Sequence, residues 1–268
     1  NMSFRSWENS LRGDNGVRYI KGFAPGDHND EPIIAEGRYD SLTNKLSKLA
    51  FAAFKDIHDR GDKKGTFSFI VGPKSEYEEE QPDIQSDEFE FDFNGIVVIT
   101  KDLYVVDGGA NAGFDNEGDE IQPVIELKFK IPKNPDWQKV SFDIKDVVRH
   151  ELEHLTQDGL NLKGYVDIDD PRAQNDPKLT RLGKYMEDDQ FFRDQIDMGL
   201  LPKANYFRLQ KEIDAMLQGM YFKAKKSRQP FADVLNNYLD MQSISEEDKE
   251  NILNLWRNRA KSLSLPKF

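Results

Sequence analysis

The chain has 268 residues, a formal net charge of -12 and no cysteine, and 37% of its residues are hydrophobic, enough to build a packed core. The absence of cysteine excludes disulfides, thiolate nucleophiles and cysteine-based zinc sites. The acidic charge argues against nucleic acid and anionic membranes as partners, because both attract clustered lysine and arginine.

The N-terminal part of the chain divides into an irregular segment and a helix. Residues 2–38 are rich in glycine, aspartate, asparagine and proline and have little periodicity, which predicts an irregular N-terminal arm. Residues 41–58 place apolar side chains at helical spacing and predict a helix, with Gly61 as its stop signal. We expect residues 39–268 to form one domain.

A strand-rich block spans residues 66–131. Residues 66–71 form its first predicted strand, and the acidic stretch 76–92 predicts a solvated loop. Residues 93–100 and 103–106 are rich in β-branched and aromatic side chains. Because only two residues separate these segments, they predict a hairpin.

The second half of this block contains a loop signal and a clear alternation. Residues 107–119 include Gly108, Gly109 and several Asn and Asp residues, which predicts a loop. Residues 124–131 alternate between apolar and charged side chains and predict a half-exposed strand. This strand is our candidate sheet edge for binding an extended peptide. The alternative is an ordinary edge strand whose lysines prevent aggregation.

The remainder of the chain, residues 143–268, has mostly helical signals. Asp143 is a predicted N-cap, and Gly159 is the predicted residue after the helix end. Residues 159–178 predict a polar loop. Further helices are predicted at 180–196, 204–226, 230–241 and 245–263. The sequence therefore favours an α+β fold, in which a small mixed sheet packs against the helix at residues 143–158.

The pentapeptide His150-Glu151-Leu152-Glu153-His154 carries the strongest chemical signal. Two histidines four residues apart lie on one face of a helix and can bind one metal ion. Glu151 follows the first histidine and can take a proton from water beside that metal. The alternative is an amphipathic helix with two surface histidines, but half of the four histidines in the chain fall in this pentapeptide.

A catalytic zinc site usually has three protein ligands and one open position. His28 and His58 lie far upstream, so we expect an acidic third ligand on a later helix. Glu212 is the first candidate, and Ala215 is small enough to let the two helices approach. Asp214 is the runner-up, but it points roughly 200° away from Glu212 around the helix axis, so both cannot face one metal.

This combination of an HExxH helix with a downstream Glu-Ile-Asp-Ala segment resembles the gluzincin branch of the zincin metallopeptidases. The resemblance covers residues 143–158 and about 205–222. It implies that His150, His154 and Glu212 bind Zn²⁺ and that Glu151 is the general base. Two positions depart from the family pattern: Glu153 is charged, and Met216 stands where an orienting aspartate is usual. A small acidic chain with this motif also resembles phage-encoded peptidase-like proteins.

The resulting hypothesis is a zinc metallopeptidase that hydrolyses peptide or protein substrates. Two alternatives are a non-catalytic structural or interaction protein that keeps a metal-binding or degenerate zincin fold, and a regulator that cleaves one specific partner. No apolar run approaches the length of a transmembrane helix, and the N-terminus has no apolar signal core. We therefore expect a cytoplasmic protein. Among Tyr185, Tyr206 and Tyr221, the sequence selects no donor for a transition-state oxyanion.

Overall fold

The computed structural model describes residues 39–77, 81–87, 89–114, 120–157 and 191–268. The predicted N-terminal arm at 2–38, the predicted polar loop at 159–178 and the predicted helix stop at Gly159 lie outside these ranges.

The first helix, α1 (Asp40–Asp59), confirms the helix predicted at 41–58. It buries Leu46, Ala50 and Phe54, which lie four residues apart along one face. The Phe54 ring stacks on Phe129 of the sheet, with ring centroids 5.3 Å apart. This contact fixes α1 against the sheet.

A five-stranded mixed sheet forms the centre of the first half. The strands are β1 (Lys64–Gly72), β2 (Ile84–Gln85), β3 (Phe91–Thr100), β4 (Val105–Phe114) and β5 (Glu120–Pro132). Their spatial order is β2-β1-β3-β5-β4. Strands β1 and β3 are antiparallel, β3 and β5 are parallel, and β5 and β4 are antiparallel. The protein is therefore an α+β protein, as predicted.

Strand β5 occupies the interior of the sheet, so two predictions were wrong. Residues 93–100 and 103–106 do not form a hairpin, because β5 lies between β3 and β4. Residues 124–131 are not the sheet edge. The predicted alternation itself is correct: Ile125, Leu127 and Phe129 are buried, and the intervening residues are more exposed. A strand with such an apolar face gains most burial from pairing on both sides.

The loop predicted at 107–119 was wrong over residues 107–114, which belong to β4, and residues 115–119 lie outside the described ranges. Gly108 pairs with Leu127 and Gly109 pairs with Glu126 across the β4–β5 ladder. These glycines are therefore strand residues. Strand β4, and not β5, is the last strand of the sheet beside the second helix.

The second helix, α2 (Trp137–Gln157), begins six residues before the predicted start at Asp143. Asp136 caps it, since its Oδ1 accepts a 3.0 Å hydrogen bond from the backbone nitrogen of Lys139. Asp143 lies inside the helix, where its carboxylate accepts hydrogen bonds from Tyr104, Lys139 and Lys223. The carboxylate of Asp143, the predicted cap, therefore makes tertiary contacts instead.

The C-terminal part is helical, with a 3₁₀ segment before three α-helices. These are the 3₁₀ segment Lys203–Arg208, α3 (Gln210–Ser227), α4 (Phe231–Asp240) and α5 (Glu246–Ser262). The helices predicted at 230–241 and 245–263 are confirmed. The one predicted at 204–226 is two segments, because Leu209 adopts an extended backbone between them. Residues 191–197 are helical, at the end of the helix predicted at 180–196.

Two hydrophobic cores result from this arrangement. The first joins α1, the sheet and one face of α2, and the second joins the 3₁₀ segment with α3, α4 and α5. Helices α2 and α3 pack against each other where the two cores meet. Within the described ranges, no helix is both long and apolar enough to cross a membrane.

Candidate metal centre

The HExxH segment lies in the C-terminal half of α2, between the two cores. Val148, Leu152 and Leu155 are fully buried in the first core. His150 and His154 lie on a different face of the same helix, directed toward α3. The sequence pattern therefore fixes which face of α2 packs on the sheet and which face carries the two imidazoles.

The three predicted ligands converge on one point. The Nε2 atoms of His150 and His154 are 3.0 Å apart. Glu212 Oε2 lies 3.7 Å from His150 Nε2 and 3.4 Å from His154 Nε2. Glu212 and His154 are 2% and 9% exposed. Asp214, the runner-up, bonds to Arg259 instead.

These separations fit a zinc ion. Nitrogen and oxygen ligands at about 2.0–2.1 Å from a tetrahedral ion lie about 3.3–3.4 Å from one another. The three observed separations bracket that value, and two imidazoles with one carboxylate are a donor set typical of zinc. Together His150, His154 and Glu212 could hold the ion and leave a fourth position open.

Gly219 allows α2 and α3 to approach closely enough for this convergence. A Cβ atom at this position would lie 2.6 Å from Asp146 Oδ1, 2.8 Å from the Asp146 carbonyl oxygen and 3.3 Å from His150 Cβ. Any side chain would therefore push the helices apart. Sequence analysis named Ala215 for this role but did not name Gly219, which lies one turn later.

Two side chains hold the Glu212 carboxylate in place. The Tyr206 hydroxyl donates a 2.6 Å hydrogen bond to Oε2, and Arg193 Nη1 donates a 3.2 Å hydrogen bond to Oε1. The Arg193 guanidinium also lies 5.9 Å from the centre of the Tyr206 ring. Each carboxylate oxygen thus has its own donor, which restricts the rotation of the ligand.

Sequence analysis could not select Tyr206, because it placed this residue on one continuous helix with Glu212. The extended backbone at Leu209 (φ -67°, ψ 128°) interrupts that helix and returns the Tyr206 phenol to the carboxylate. Trp256 fixes the 3₁₀ segment by donating a 2.9 Å hydrogen bond to the Phe207 carbonyl oxygen. No proline or glycine marks the interruption, so the sequence offers no signal for it.

The ionisation of His150 and Glu212 suits metal binding, which requires neutral imidazole and charged carboxylate. Burial, and then the neighbouring His154, lower the pKa of His150 to about 3. Burial opposes the protonation of His154, but its hydrogen bond and charge interaction with Glu212 raise its pKa, so a metal would have to displace the proton that this pair favours. Burial also opposes the ionisation of Glu212, but its contacts with His154, His150 and Tyr206 together outweigh burial and lower the pKa of Glu212 to about 2.

Glu151 lies beside this cluster, under the edge strand β4. Its side chain is near Gly108, where an added Cβ would lie 3.0 Å from Glu151 Cγ and 2.7 Å from Val147 Cγ1. Burial raises the pKa of Glu151 to about 7. His154 opposes this increase, and the Glu212 and Asp107 carboxylates add to it. A carboxylate with a pKa near neutrality can both accept and release a proton.

The charged residue inside the motif has a partner. Arg149 Nη1 donates a 2.8 Å hydrogen bond to Glu153 Oε2 one turn away, and Arg149 is 4% exposed. Glu153 therefore pairs with Arg149 and is not among the converging ligands. His58 is remote from the motif and contacts the Lys133 carbonyl oxygen through Nε2 at 2.8 Å.

Comparison with known protein families, with curated proteins and with solved structures found no match to this chain. The chemistry of the site must therefore be argued from its own residues and distances.

Proposed function

We propose that this protein is a zinc-dependent metallopeptidase of the zincin type, with His150, His154 and Glu212 as ligands and Glu151 as general base. The observation that carries the proposal is the convergence of two imidazole nitrogens and one carboxylate oxygen at separations of 3.0, 3.4 and 3.7 Å. A buried glutamate follows the first histidine, and an open cleft adjoins both.

Zinc, when bound, supplies Lewis acidity that polarises a carbonyl group and lowers the pKa of water. Glu151 accepts a proton from the attacking water as the new C–O bond forms. It then donates that proton to the departing amide nitrogen as the C–N bond breaks. The products are a carboxylic acid and an amine, which at neutral pH become a carboxylate and an ammonium group, and Glu151 returns to its starting state. Its raised pKa, about 7, suits both transfers.

Two donors near the site can stabilise negative charge on the substrate. Tyr206 lines the cleft beside His150 and Glu151, and its hydroxyl already contacts Glu212. Arg193 contacts the other oxygen of the same carboxylate. Both are therefore candidates for the oxyanion donor that the sequence did not supply. Arg193 is the better one, because it has further N–H groups, whereas the single hydroxyl proton of Tyr206 is already donated to Glu212.

The position of β4 supports a peptide as the substrate. Strand β4 is the last strand of the sheet and is antiparallel to β5. It passes directly over Glu151 at Gly108, while a Cβ added at Gly109 would meet nothing within 4 Å. An extended peptide that paired with this edge would pass close to the general base. In this proposal β4 replaces the strand at 124–131 as the peptide-binding edge.

The test combines metal analysis with hydrolysis. Protein purified without metal and reloaded with zinc should bind one zinc per chain and cleave unfolded protein substrates. We expect Glu151→Gln to retain zinc and lose hydrolysis, and Glu212→Gln to lose both. Asp214→Asn, two residues from Glu212 on the same helix, is the matched control and should retain zinc. Absence of zinc from the reloaded wild-type protein would reject the proposal.

Zinc bound without hydrolysis of any substrate would favour the non-catalytic alternative. Cleavage confined to one protein would favour the specific regulator. A mass-spectrometric survey of peptides released from a complex protein mixture separates these outcomes. A peptidase with general activity should release many peptides, and Glu151→Gln should release none of them.

A further inference from the structure

A cleft of about 640 Å³ opens beside the metal cluster and includes the side chains of His150, Glu151 and Tyr206. It extends along α2 toward the N-terminus of that helix. Asp146 lies on the same helical face as His150, one turn earlier, which places the two Cα atoms about 6 Å apart along the axis. A substrate residue adjacent to the scissile bond could therefore span this distance.

Part of the cleft lining is apolar. It includes Met216 and Met220 from α3, Tyr238 from α4, and Phe142 and Val147 of α2. Methionine side chains are flexible and adapt to an aliphatic chain. This part of the cleft thus suits the methylene stem of a long side chain.

The charges in the same cleft do not balance. Besides Glu151, the lining residues include the four carboxylates of Asp107, Asp136, Asp143 and Asp146, against the ammonium groups of Lys139 and Lys223. Both ammonium groups bind Asp143, each at 2.5 Å. The cleft therefore has more negative than positive charge before a substrate enters.

Among the four aspartates of the cleft, Asp146 lies one turn from His150 on the same face of α2, and its charge is only partly compensated. Its nearest cation, Lys223 Nζ, is 3.9 Å away and is held more closely by Asp143. Because Gly219 has no side chain, Asp146 Oδ1 fits between α2 and α3. Burial raises the pKa of Asp146 to about 6, since Lys223 only partly offsets the burial and Asp143 adds repulsion. An additional cation would offset the incompletely compensated negative charge of Asp146.

We propose that this cleft selects substrates with a lysine or arginine side chain next to the scissile bond, and that Asp146 receives its charged end. The stem of such a side chain packs on Met216 and Met220, while its charged end reaches the carboxylate. A neutral side chain of equal length leaves Asp146 with only the distant Lys223, and an acidic one is repelled. This inference rests on the proposed function, because the metal centre defines where the scissile bond lies.

The test uses binding, so that it does not depend on turnover. Two peptide hydroxamates that differ only in one side chain, lysine in one and norleucine in the other, are titrated by calorimetry into the zinc-loaded protein. Norleucine provides a similar stem without the charge. We expect the lysine compound to bind at least about tenfold more tightly to the wild-type protein. In Asp146→Asn we expect the two affinities to agree within about threefold.

Asp62→Asn removes the same charge from an exposed position outside the cleft lining and should preserve the lysine preference. Equal binding of both hydroxamates to the wild-type protein would overturn the inference and leave the metallopeptidase proposal intact. A lysine preference that persists in Asp146→Asn would overturn the assigned role of this residue. If neither hydroxamate binds the reloaded protein, the proposed function fails, and this inference fails with it.

Discussion

The Tyr206 hydroxyl donates a 2.6 Å hydrogen bond to Glu212 Oε2, the same carboxylate oxygen that faces the Nε2 atoms of both histidines. The third predicted ligand is therefore oriented before any metal arrives. Tyr206 reaches it from a 3₁₀ segment that is itself anchored to α5 through Trp256. The geometry of the site thus depends on the second core as well as on α2.

Tyr206→Phe should weaken zinc binding without removing a ligand. Loss of a side chain that orients a metal ligand typically lowers metal affinity about 10- to 100-fold. Competition with a fluorescent chelator measures the change in the dissociation constant. Tyr238→Phe, a change at another partly buried tyrosine of the cleft, should leave zinc affinity unchanged. Equal affinities of wild-type protein and Tyr206→Phe would contradict the orienting role.

Gly219→Ala should destabilise the protein even though alanine is the better helix former. The added methyl group would lie 2.8 Å from the Asp146 carbonyl oxygen, a backbone atom that cannot move independently of α2. We expect a loss of about 1–3 kcal/mol in the free energy of unfolding, together with weaker zinc binding. Urea denaturation measures the first quantity. Gln218→Ala, at the neighbouring and less buried position, should change it little.

Gly108→Ala should impair hydrolysis while preserving zinc. The methyl group would overlap Val147 and press on the Glu151 side chain, so the general base would be displaced relative to the ligands. A displacement of about 1 Å can reduce a rate on the order of 100-fold. The turnover number and the zinc content are measured on the same sample. Gly109→Ala, with open space at its Cβ position, is the control, and an equal effect of both changes would refute this explanation.

Acid should destabilise the metal-free protein through Asp143. Burial alone would raise the pKa of this carboxyl group, but Lys223, Lys139 and Tyr104 together hold the pKa below its ordinary value of 3.8. A carboxyl group with a lower pKa in the folded state adds stability above its unfolded pKa. That stability is lost as the pH falls through the folded value. The loss is therefore expected below about pH 4.

Asp143→Asn should consequently lower the free energy of unfolding at pH 7 and make it less dependent on pH between about pH 4 and pH 2. Urea denaturation of the metal-free protein across this range gives the comparison with wild type. The exposed Asp62→Asn is the control. A variant curve parallel to that of the wild type would show that Asp143 is not a source of the acid sensitivity.

The sequence predicted the elements whose periodicity was unambiguous. Helix α1 and the alternation in β5 followed from the spacing of residues such as Phe54 and Phe129, which are buried as expected. The sequence also singled out the proposed ligands His150, His154 and Glu212 and the proposed general base Glu151, and helical spacing accounts for the two histidines. The structure brings all of them to one place.

The order of the strands could not be read from local patterns, since strand pairing depends on contacts distant in the sequence. Residues 107–114 were assigned to a loop because glycine usually weakens strands. Here Gly108 is required by the close passage of β4 over Glu151, a tertiary constraint. Asp143 was predicted to be a helix N-cap. The sequence could not show its tertiary role, because its partner Lys223 lies on α3, 80 residues away.

The division of the ligands between the two cores has a consequence for assembly. His150 and His154 project from the helix that completes the first core, and Glu212 projects from a helix of the second. A bound ion would join the two cores as a cross-link, in a chain that contains no cysteine to form one. Zinc at a free concentration 100 times its dissociation constant would add about 2.7 kcal/mol to the stability of the joined state. The complete site exists only where the two cores have packed together. Metal binding would therefore be restricted to molecules that have finished folding.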